Sequence, residues 1–296
     1  MKSPTLLITG LLLAGLAHAD EPAPNADKRA LNLAVQQDGQ HNRSAAAAVS
    51  APVGRSAWVQ AGVGQSRSRD AASGTNYKPT QVSVGGGVAG QRWQAGVTGS
   101  QRRDGDALRQ TDVAAAVDWK PVDGVNVGVD ATRRNARARG TVASGGGAPT
   151  SVEQRVKGRG VGVHGAVAVT PRLSVYGATM RNRYTTNTTQ GASNNGGLLA
   201  GVPLLGQNRV SAVNRDEAAL DRSHQVGATY RVSERVAVNG EVQQDRLHDG
   251  GSLRSVQMKA MVVAGAGWTI APGVGRSRGP KGEGTNYGVL GASYAW

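Results

Sequence analysis

The chain has 296 residues, no cysteine and no phenylalanine, 43 glycines and a formal net charge of +14. The lack of cysteine excludes disulfides and thiolate metal sites. The shortage of large apolar side chains argues against an ordinary soluble domain of this size, which needs them to fill its core. Two kinds of chain tolerate the shortage, a disordered chain and a barrel with a hydrated interior, and periodicity distinguishes them.

The N-terminus has the pattern of a secretory signal peptide. Lys2 supplies a positive charge, an apolar run covers 6–16, and Ala17-His18-Ala19 fits a small-x-small cleavage site. The run is too short to cross a bilayer as a helix, which needs about 20 apolar residues. We therefore expect a cleaved signal peptide at 1–19, export from the cytoplasm, and a short N-terminal periplasmic segment at 20–29.

Alternating apolar and polar residues recur from about residue 30 onward. Val113, Ala115 and Val117 are separated by single residues, 120–124 is rich in turn formers, and the alternation resumes at Val125 and Val127. A period of two with one apolar face predicts a strand, and short turns between such runs predict hairpins. A disordered chain would not keep this pattern.

The connections between these strands alternate in length. Tight turns are predicted near 52–55, 89–91, 120–124, 170–172, 232–235 and 264–267. Longer polar connections are predicted near 39–43, 70–78, 104–109, 140–152, 187–218, 248–252 and 278–284. This is the layout of a transmembrane barrel, so we predict an all-β, antiparallel up-and-down barrel over 30–296.

The strand count is fourteen, or twelve if 30–52 is a periplasmic segment instead. The long loops near 140–152 and 187–218 are expected outside the cell. Loop 187–218 contains an apolar stretch that either folds into the barrel and constricts it or packs on its rim, and the sequence leaves both alternatives open.

Aromatic residues cluster near the short turns and the C-terminus, where an interfacial girdle would lie. The predicted girdle residues are Trp93, Trp119, Tyr230, Trp268, Tyr294 and Trp296. Successive residues of a strand alternate between two faces, and we call the set to which a residue belongs its parity. Trp58 has the opposite parity to the apolar residues of its strand, which indicates either a β-bulge or a ring that faces the barrel interior.

The last strand carries one apolar face, Gly288, Leu290, Ala292, Tyr294 and Trp296, and ends on an aromatic residue. In this respect the sequence resembles the bacterial outer-membrane β-barrels, whose assembly machinery recognises such a final strand. The resemblance implies that Gly291, Tyr294 and Trp296 act as an insertion signal in a Gram-negative outer membrane. Val289 departs from the pattern, which usually has a polar residue at that place.

Basic residues concentrate toward the long-loop ends of the predicted strands. Representative positions are Arg67, Arg102, Arg134, Arg159, Arg183, Arg246 and Arg276. On the outward face they would contact phosphates of lipopolysaccharide. On the inward face they would form a basic pore that attracts small anions or acidic polysaccharide. Both parities occur, so both interpretations stay open, whereas export makes nucleic acid an unexpected partner.

Polar residues on the opposite parity are expected to line the barrel. They are Asp118, Lys120, Asn126, Asp130, His164, Thr229, Arg231, Asn239, Glu241, Gln243, Asp245 and Lys259. We expect no cofactor, no metal site and no catalytic group among them. Ser223 and His224 are neighbours on one strand and therefore point to opposite faces, while His248, near Asp245 and Asp249, is expected to be a solvated loop-edge residue.

Three functional hypotheses follow. The first is a passive, porin-like channel with a mild preference for anions. The second is a barrel that exports an acidic exopolysaccharide or serves surface adhesion. The third is an outer-membrane enzyme acting on lipid or peptide.

The alternation of outward and inward positions also makes a prediction about two substitutions. Val127→Arg, on the outward face, is expected to destabilise the barrel, whereas Gly128→Arg, on the inward face, is expected to be better tolerated.

The terminal strand generates the first testable prediction. Tyr294→Asp is expected to reduce the amount of assembled protein strongly, because it places a charge in the aromatic end of the final strand. The measurement is the heat-modifiable, folded fraction in isolated outer membranes, with Ser293→Asp, on the opposite parity, as the control. Normal levels of folded Tyr294→Asp would contradict the insertion-signal assignment.

Overall fold

In a computed structural model the chain forms a closed, antiparallel barrel of fourteen strands. The structure describes residues 6–8, 29–39, 42–69, 76–105, 107–142, 150–189, 211–213, 220–247, 251–279, 282 and 284–296. No helix occurs in these ranges. None of the described segments is therefore a helix long and apolar enough to cross a membrane.

The barrel strands follow one another around the barrel in chain order. They are β1 Ala30–Asp38, β2 Arg43–Val53, β3 Ala57–Arg69, β4 Thr80–Ala89, β5 Trp93–Asp104, β6 Leu108–Trp119, β7 Val125–Val142, β8 Thr150–Thr170, β9 Leu173–Thr189, β10 Leu220–Arg231, β11 Val236–Leu247, β12 Ser252–Gly265, β13 Trp268–Arg278 and β14 Gly284–Ala295.

Pairing of the first strand with the last closes the barrel. Leu31 of β1 lies opposite Tyr294 of β14, and Val35 lies opposite Leu290. At the end of this seam Arg29 and Trp296 exchange two backbone hydrogen bonds of 3.1 Å. The segment 30–52 therefore belongs to the barrel, and the twelve-strand alternative is wrong.

All six predicted tight turns join consecutive strands at one end of the barrel, which we call the turn end. The opposite end is the loop end. It includes the longest connections of the chain, but β5 and β6 are joined there by 105–107 alone, so the connection predicted at 104–109 is a tight turn. Three neighbouring strands are longer than the rest: β7, β8 and β9 have 18, 21 and 17 residues. They continue to pair beyond the length that crosses a bilayer, about 9–11 residues, so much of the loop predicted at 140–152 is strand.

Three short strands lie outside the barrel order. Asn76–Tyr77 pairs with the loop end of β3. Leu6–Ile8, within the predicted signal peptide, pairs with Ser211–Val213, within the predicted loop 187–218. The rest of the predicted signal peptide, the segment 20–28, and 190–210 and 214–219 lie outside the described residues, so the plug and rim alternatives for that loop are not distinguished.

Side chains alternate between the two faces of the wall, as the sequence predicts. Outward positions carry exposed valines, for example Val127, Val129, Val161 and Val163. The intervening inward positions carry buried polar side chains such as Asp118. Because the outward valines would cost free energy in water and neighbouring strands pair all the way around the barrel, this wall suits a hydrocarbon environment.

The structure corrects the expectation for Gly128. It faces inward as predicted, but a Cβ atom there would lie 2.2 Å from Nε2 of His164 on the neighbouring strand. The His164 ring occupies the space above this glycine, and Gly128→Arg is therefore not a tolerated substitution.

A better matched pair tests the two faces of the wall. Val127→Arg, on the outward face, is expected to destabilise the folded barrel by about 2–4 kcal/mol, because the charge enters the hydrocarbon. Ser100→Arg, on the inward face opposite Asp112, is expected to cost much less. The measurement is the free energy of unfolding in urea after refolding into lipid vesicles. Equal losses for the two variants would contradict the assignment of the faces.

Candidate functional site: the polar interior of the barrel

A histidine held between two carboxylates lies on the inner face toward the turn end. Nδ1 of His164 is 2.8 Å from Oδ2 of Asp130, and Nε2 is 2.8 Å from Oδ1 of Asp118. Both carboxylates are buried. Asp118 also accepts hydrogen bonds from Gln94 and Asn126. These contacts join β5, β6, β7 and β8 across the interior, and we call them the histidine clasp.

The hydrogen bonds of the clasp favour a doubly protonated imidazole ring. Each ring nitrogen faces a carboxylate oxygen, and a carboxylate can only accept. An imidazolium donates to both, whereas a neutral ring would leave one carboxylate facing a lone pair. Because the ring nitrogens are directed at the carboxylates, the clasp does not converge on a central point, and no group of three His, Asp or Glu side chains among the described residues has metal-binding geometry.

A second polar cluster lies on the inner face of the next strands around the barrel. The Tyr176 hydroxyl donates to Glu241 Oε2 over 2.8 Å, and Gln225 Nε2 donates to the same oxygen over 2.7 Å. Asn239 donates to the Tyr176 oxygen and to Thr229. These bonds tie β9, β10 and β11 together and hold the Glu241 carboxylate in one place.

Glycine makes room for the tyrosine of this cluster. A Cβ atom at Gly227 would lie 2.3 Å from the hydroxyl oxygen of Tyr176. The ring therefore covers the backbone of β10, and any side chain at 227 would displace it.

Closer to the loop end, Asp245 accepts a hydrogen bond of 2.6 Å from Ser223 and bonds of 2.8 and 2.9 Å from Gln243.

His224, the neighbour of Ser223, faces outward, where its Nδ1 lies 2.9 Å from Thr179 Oγ1. Ser223 and His224 thus point to opposite faces, as predicted, and do not form a nucleophile–base pair. His248 and His41 lie outside the described residues.

Two predicted basic residues do face the interior. Arg102 is buried and donates to Ser66 over 3.3 Å. Arg134 is held by Asp112, with Nε 2.8 Å from Oδ1. The other five predicted basic positions face outward and are exposed: Arg67, Arg159, Arg183, Arg246 and Arg276. The structure therefore separates the predicted set into a small interior group and a larger exterior group.

The charge on the inner face differs in sign from the charge of the whole chain. The described inward carboxylates are Asp38, Asp104, Asp112, Asp118, Asp130, Glu241 and Asp245. The described inward basic groups are Arg102, Arg134, His164, Arg231 and Lys259, together with Lys120, which follows β6 on the inward parity and is exposed at the turn end. Carboxylates outnumber basic groups, and the predicted preference for anions has no support from this face.

The predicted girdle aromatics all face outward at the turn end. Trp93 lies opposite Trp119 in the β5–β6 pair. Trp268, Tyr294 and Trp296 form a ring stack, with centroid separations of 4.9 and 5.4 Å, and Tyr230 is exposed on β10. Their contact with the membrane interface stays a prediction.

Trp58 is buried on the inner face. Of the two alternatives for this residue, the one with an inward-facing ring is therefore confirmed and the β-bulge is wrong.

The insertion-signal residues divide between the two faces of β14. Tyr294 and Trp296 face outward with the apolar parity, whereas Gly291 lies on the inward parity, opposite Ala271 and Ala34. Val289 faces inward, where a polar residue is usual. The role of these residues in assembly stays a prediction.

Sequence reasoning did not single out Tyr176 or Asp112. Both could have been placed on the inner face, because each directly neighbours a valine of the outward parity. The contacts that these two residues make could not be predicted from the sequence. Tyr176 contacts Glu241, which lies two strands away, and Asp112 contacts Arg134 because of the register between β6 and β7.

Comparison with known proteins agrees with this architecture. A Pseudomonas aeruginosa FadL homologue aligns with a TM-score of 0.58 at 11% identity, over 93% of this chain and 92% of that one. The CymD monoaromatic hydrocarbon channel aligns with a TM-score of 0.56 at 8% identity, over 91% and 88%. Outer-membrane expressed OmpT of Vibrio cholerae gives 0.51 at 11%, over 91% and 97%.

These likenesses show the fold: the chain has the architecture of the bacterial outer-membrane β-barrels. No protein-family model matches the sequence, and no curated protein matches it either. A narrower family is therefore not identified.

The histidine clasp generates a prediction about stability. His164→Ala is expected to destabilise the barrel by about 3–5 kcal/mol, because it leaves the buried carboxylates of Asp118 and Asp130 without their cationic partner. The triple variant His164→Ala, Asp118→Asn, Asp130→Asn is expected to lose less, since it removes the charges as well. Urea unfolding in lipid vesicles measures both. A triple variant less stable than the single one would show that the ion pairs are not the source of the loss.

Proposed function

We propose that this protein is a passive channel of the bacterial outer membrane, with the polar interior of the barrel as the pathway for small hydrophilic solutes. The proposal includes insertion through the turn-end aromatic strand and a location reached by signal-peptide export. The fold of the outer-membrane barrels and the apolar outer wall support this location. A fourteen-stranded barrel is wide enough to hold water within a polar lining.

The observation that carries the proposal is the separation of charge across the wall. Five of the seven predicted basic positions face outward, for example Arg159 and Arg183, whereas Glu241 and Asp245 face inward. Fixed carboxylates along an interior with low-dielectric walls focus a negative potential and raise the local concentration of cations. The channel proposed here therefore favours small cations, in place of the anions expected from the overall charge.

The same observation weakens the export hypothesis. Export of an acidic polysaccharide needs a basic pathway, and the described interior has an excess of carboxylates. The enzyme hypothesis has no supporting arrangement in the described residues, where Ser223 and His224 lie on opposite faces of the wall. No observation favours a role in surface adhesion.

Single-channel conductance in a planar bilayer under a salt gradient tests the proposal. The wild-type protein is expected to conduct in stable steps, with a reversal potential of the sign that reports cation preference. The double variant Glu241→Gln, Asp245→Asn is expected to lower the cation-to-anion permeability ratio by roughly twofold, because it removes two fixed negative charges from the pathway. The matched control is Arg159→Gln, Arg183→Gln, which changes two charges on the outer face and is expected to leave the ratio unchanged.

Three results would overturn the proposal. A folded wild-type barrel that never conducts would exclude a passive channel. An anion-selective wild type would exclude the inner carboxylates as the selectivity element. A larger shift in the outward arginine variant than in the inward carboxylate variant would show that the faces contribute in the opposite way.

A further inference from the structure

Arginines on the outer face of β7 to β11 lie directly opposite one another across neighbouring strands. Arg159 pairs in register with Arg133 on one side and with Arg183 on the other. A second row begins at Arg181, two residues along β9 from Arg183, and continues to Arg222 and then Arg246. We call these six residues the arginine arc: Arg133, Arg159, Arg183, Arg181, Arg222 and Arg246.

This arrangement is unfavourable unless an anion is present. Like charges directly opposite each other in a sheet are destabilising, and neighbouring strands are only about 4.8 Å apart. All six side chains are exposed. Within the described part of the chain, the one carboxylate within 4 Å of any of them is that of Asp221, 3.6 Å from Nε of Arg222.

A neighbouring row of arginines is neutralised by the chain itself. Arg109 pairs in register with Arg103 and Arg137, and Arg137 pairs with Arg155. Here Glu153 accepts hydrogen bonds from Arg137, from Arg155 over 2.7 Å and from Arg139 over 3.1 Å. The contact with Arg137, followed by that with Arg155, lowers the pKa of Glu153 to about 2. Among the residues that the structure describes, the arc has no equivalent of this glutamate.

The arc begins where the apolar wall ends. On β8, exposed valines occupy outward positions from Val169 to Val161, a span of about nine residues, which is the length that crosses the hydrocarbon. Arg159 is the next outward position toward the loop end. The arginines therefore lie at the level of the lipid headgroups, in the leaflet at the loop end.

A shallow apolar furrow leads from the arc down the lipid-facing wall. It lies between β6 and β9, and its lining includes Val129, Ala131, Val161, Val163, Thr179 and, at the loop-end side, Arg181. The small side chain of Ala131 among larger neighbours leaves a depression in the apolar outer wall. The arginine arc matches the charged headgroup of a lipid, and the apolar furrow that leads from it along the outer wall matches an acyl chain.

We propose that the arginine arc and this furrow form a binding site for a lipid whose headgroup carries more than one phosphate, such as lipopolysaccharide in the outer leaflet. Guanidinium groups bind phosphate oxygens in bidentate geometry, and several phosphates relieve the repulsion along both rows. An acyl chain of the same molecule occupies the furrow. The proposal rests on the outer-membrane location but not on conduction, so it is tested separately from the channel.

The test is titration of the full-length protein, extracted from membranes and delipidated in mild detergent, with purified lipopolysaccharide. The variant Arg133→Gln, Arg159→Gln, Arg183→Gln is expected to bind at least about tenfold more weakly, since each basic group near an anionic lipid surface contributes roughly a fivefold factor. The control Arg103→Gln, Arg109→Gln, Arg155→Gln removes the same number of charges from the neighbouring row, in which Arg155 lies four residues farther toward the loop end of β8 than Arg159. It is expected to change binding less than threefold.

A second measurement avoids dependence on cellular assembly. The protein is refolded into phosphatidylcholine vesicles, and its thermal unfolding is followed with and without added lipopolysaccharide. The wild type and the control are expected to gain stability from the lipid, and the arc variant to gain little. Ala131→Trp, which fills the furrow, is expected to weaken binding while leaving all arginines in place.

Four results would overturn the proposal in whole or in part. Undetectable binding of lipopolysaccharide by the wild type would exclude the site. Equal losses in the arc and control variants would indicate a nonspecific basic surface. Equal affinity for phosphatidylglycerol, which has one phosphate, would exclude recognition of several phosphates. Unchanged binding by Ala131→Trp would remove the furrow from the site. Conductance of the arc variant, measured in parallel, distinguishes failure here from failure of the channel.

Discussion

The structure depends on one constraint, that every backbone N–H and C=O group in the hydrocarbon region must find its partner within the protein. A sheet meets this constraint only when it has no free edge, and the pairing of β1 with β14 removes the edge. Once the sheet is closed, each residue has one of two environments, because successive side chains point to opposite faces. The parity of a residue then decides whether it meets lipid or the interior.

This separation explains why the net charge of the chain is a poor guide to its interior. The formal charge of +14 suggests a basic pore, but most of the basic residues near the loop end have the outward parity. The inner face instead carries carboxylates, several of them paired with Arg134 or His164. Two opposite electrostatic surfaces thus share one wall, and each suits a different partner: solutes inside and lipid phosphates outside.

The sequence predicted the class, the strand number and the inner face well, because all three follow from a period of two and from the lengths of the connections. The inward parity of Asp118, Asp130 and His164 could be read directly, whereas the choice of fourteen strands over twelve needed the pairing of β1 with β14. Register could not, because it depends on pairing between strands distant in sequence. The clasp, the contact between Tyr176 and Glu241 and the rows of arginines all depend on register. For the same reason the sequence predicted that an inward side chain at Gly128 would be tolerated, whereas the ring of His164, on the neighbouring strand, occupies that space.

Register also determines how firmly the interior charges are held. The Glu241 carboxylate is held by Tyr176 and Gln225, and the Tyr176 ring lies over Gly227, where no side chain can displace it. Such a carboxylate is positioned before any solute arrives, so its field costs no reorganisation when a cation passes. The wall of the barrel, with its hydrogen-bonded carboxylates, is therefore the part of the molecule best suited to select ions. The six outward arginines of the arc, of which only Arg222 has a carboxylate within 4 Å among the described residues, are best suited to bind what lies outside.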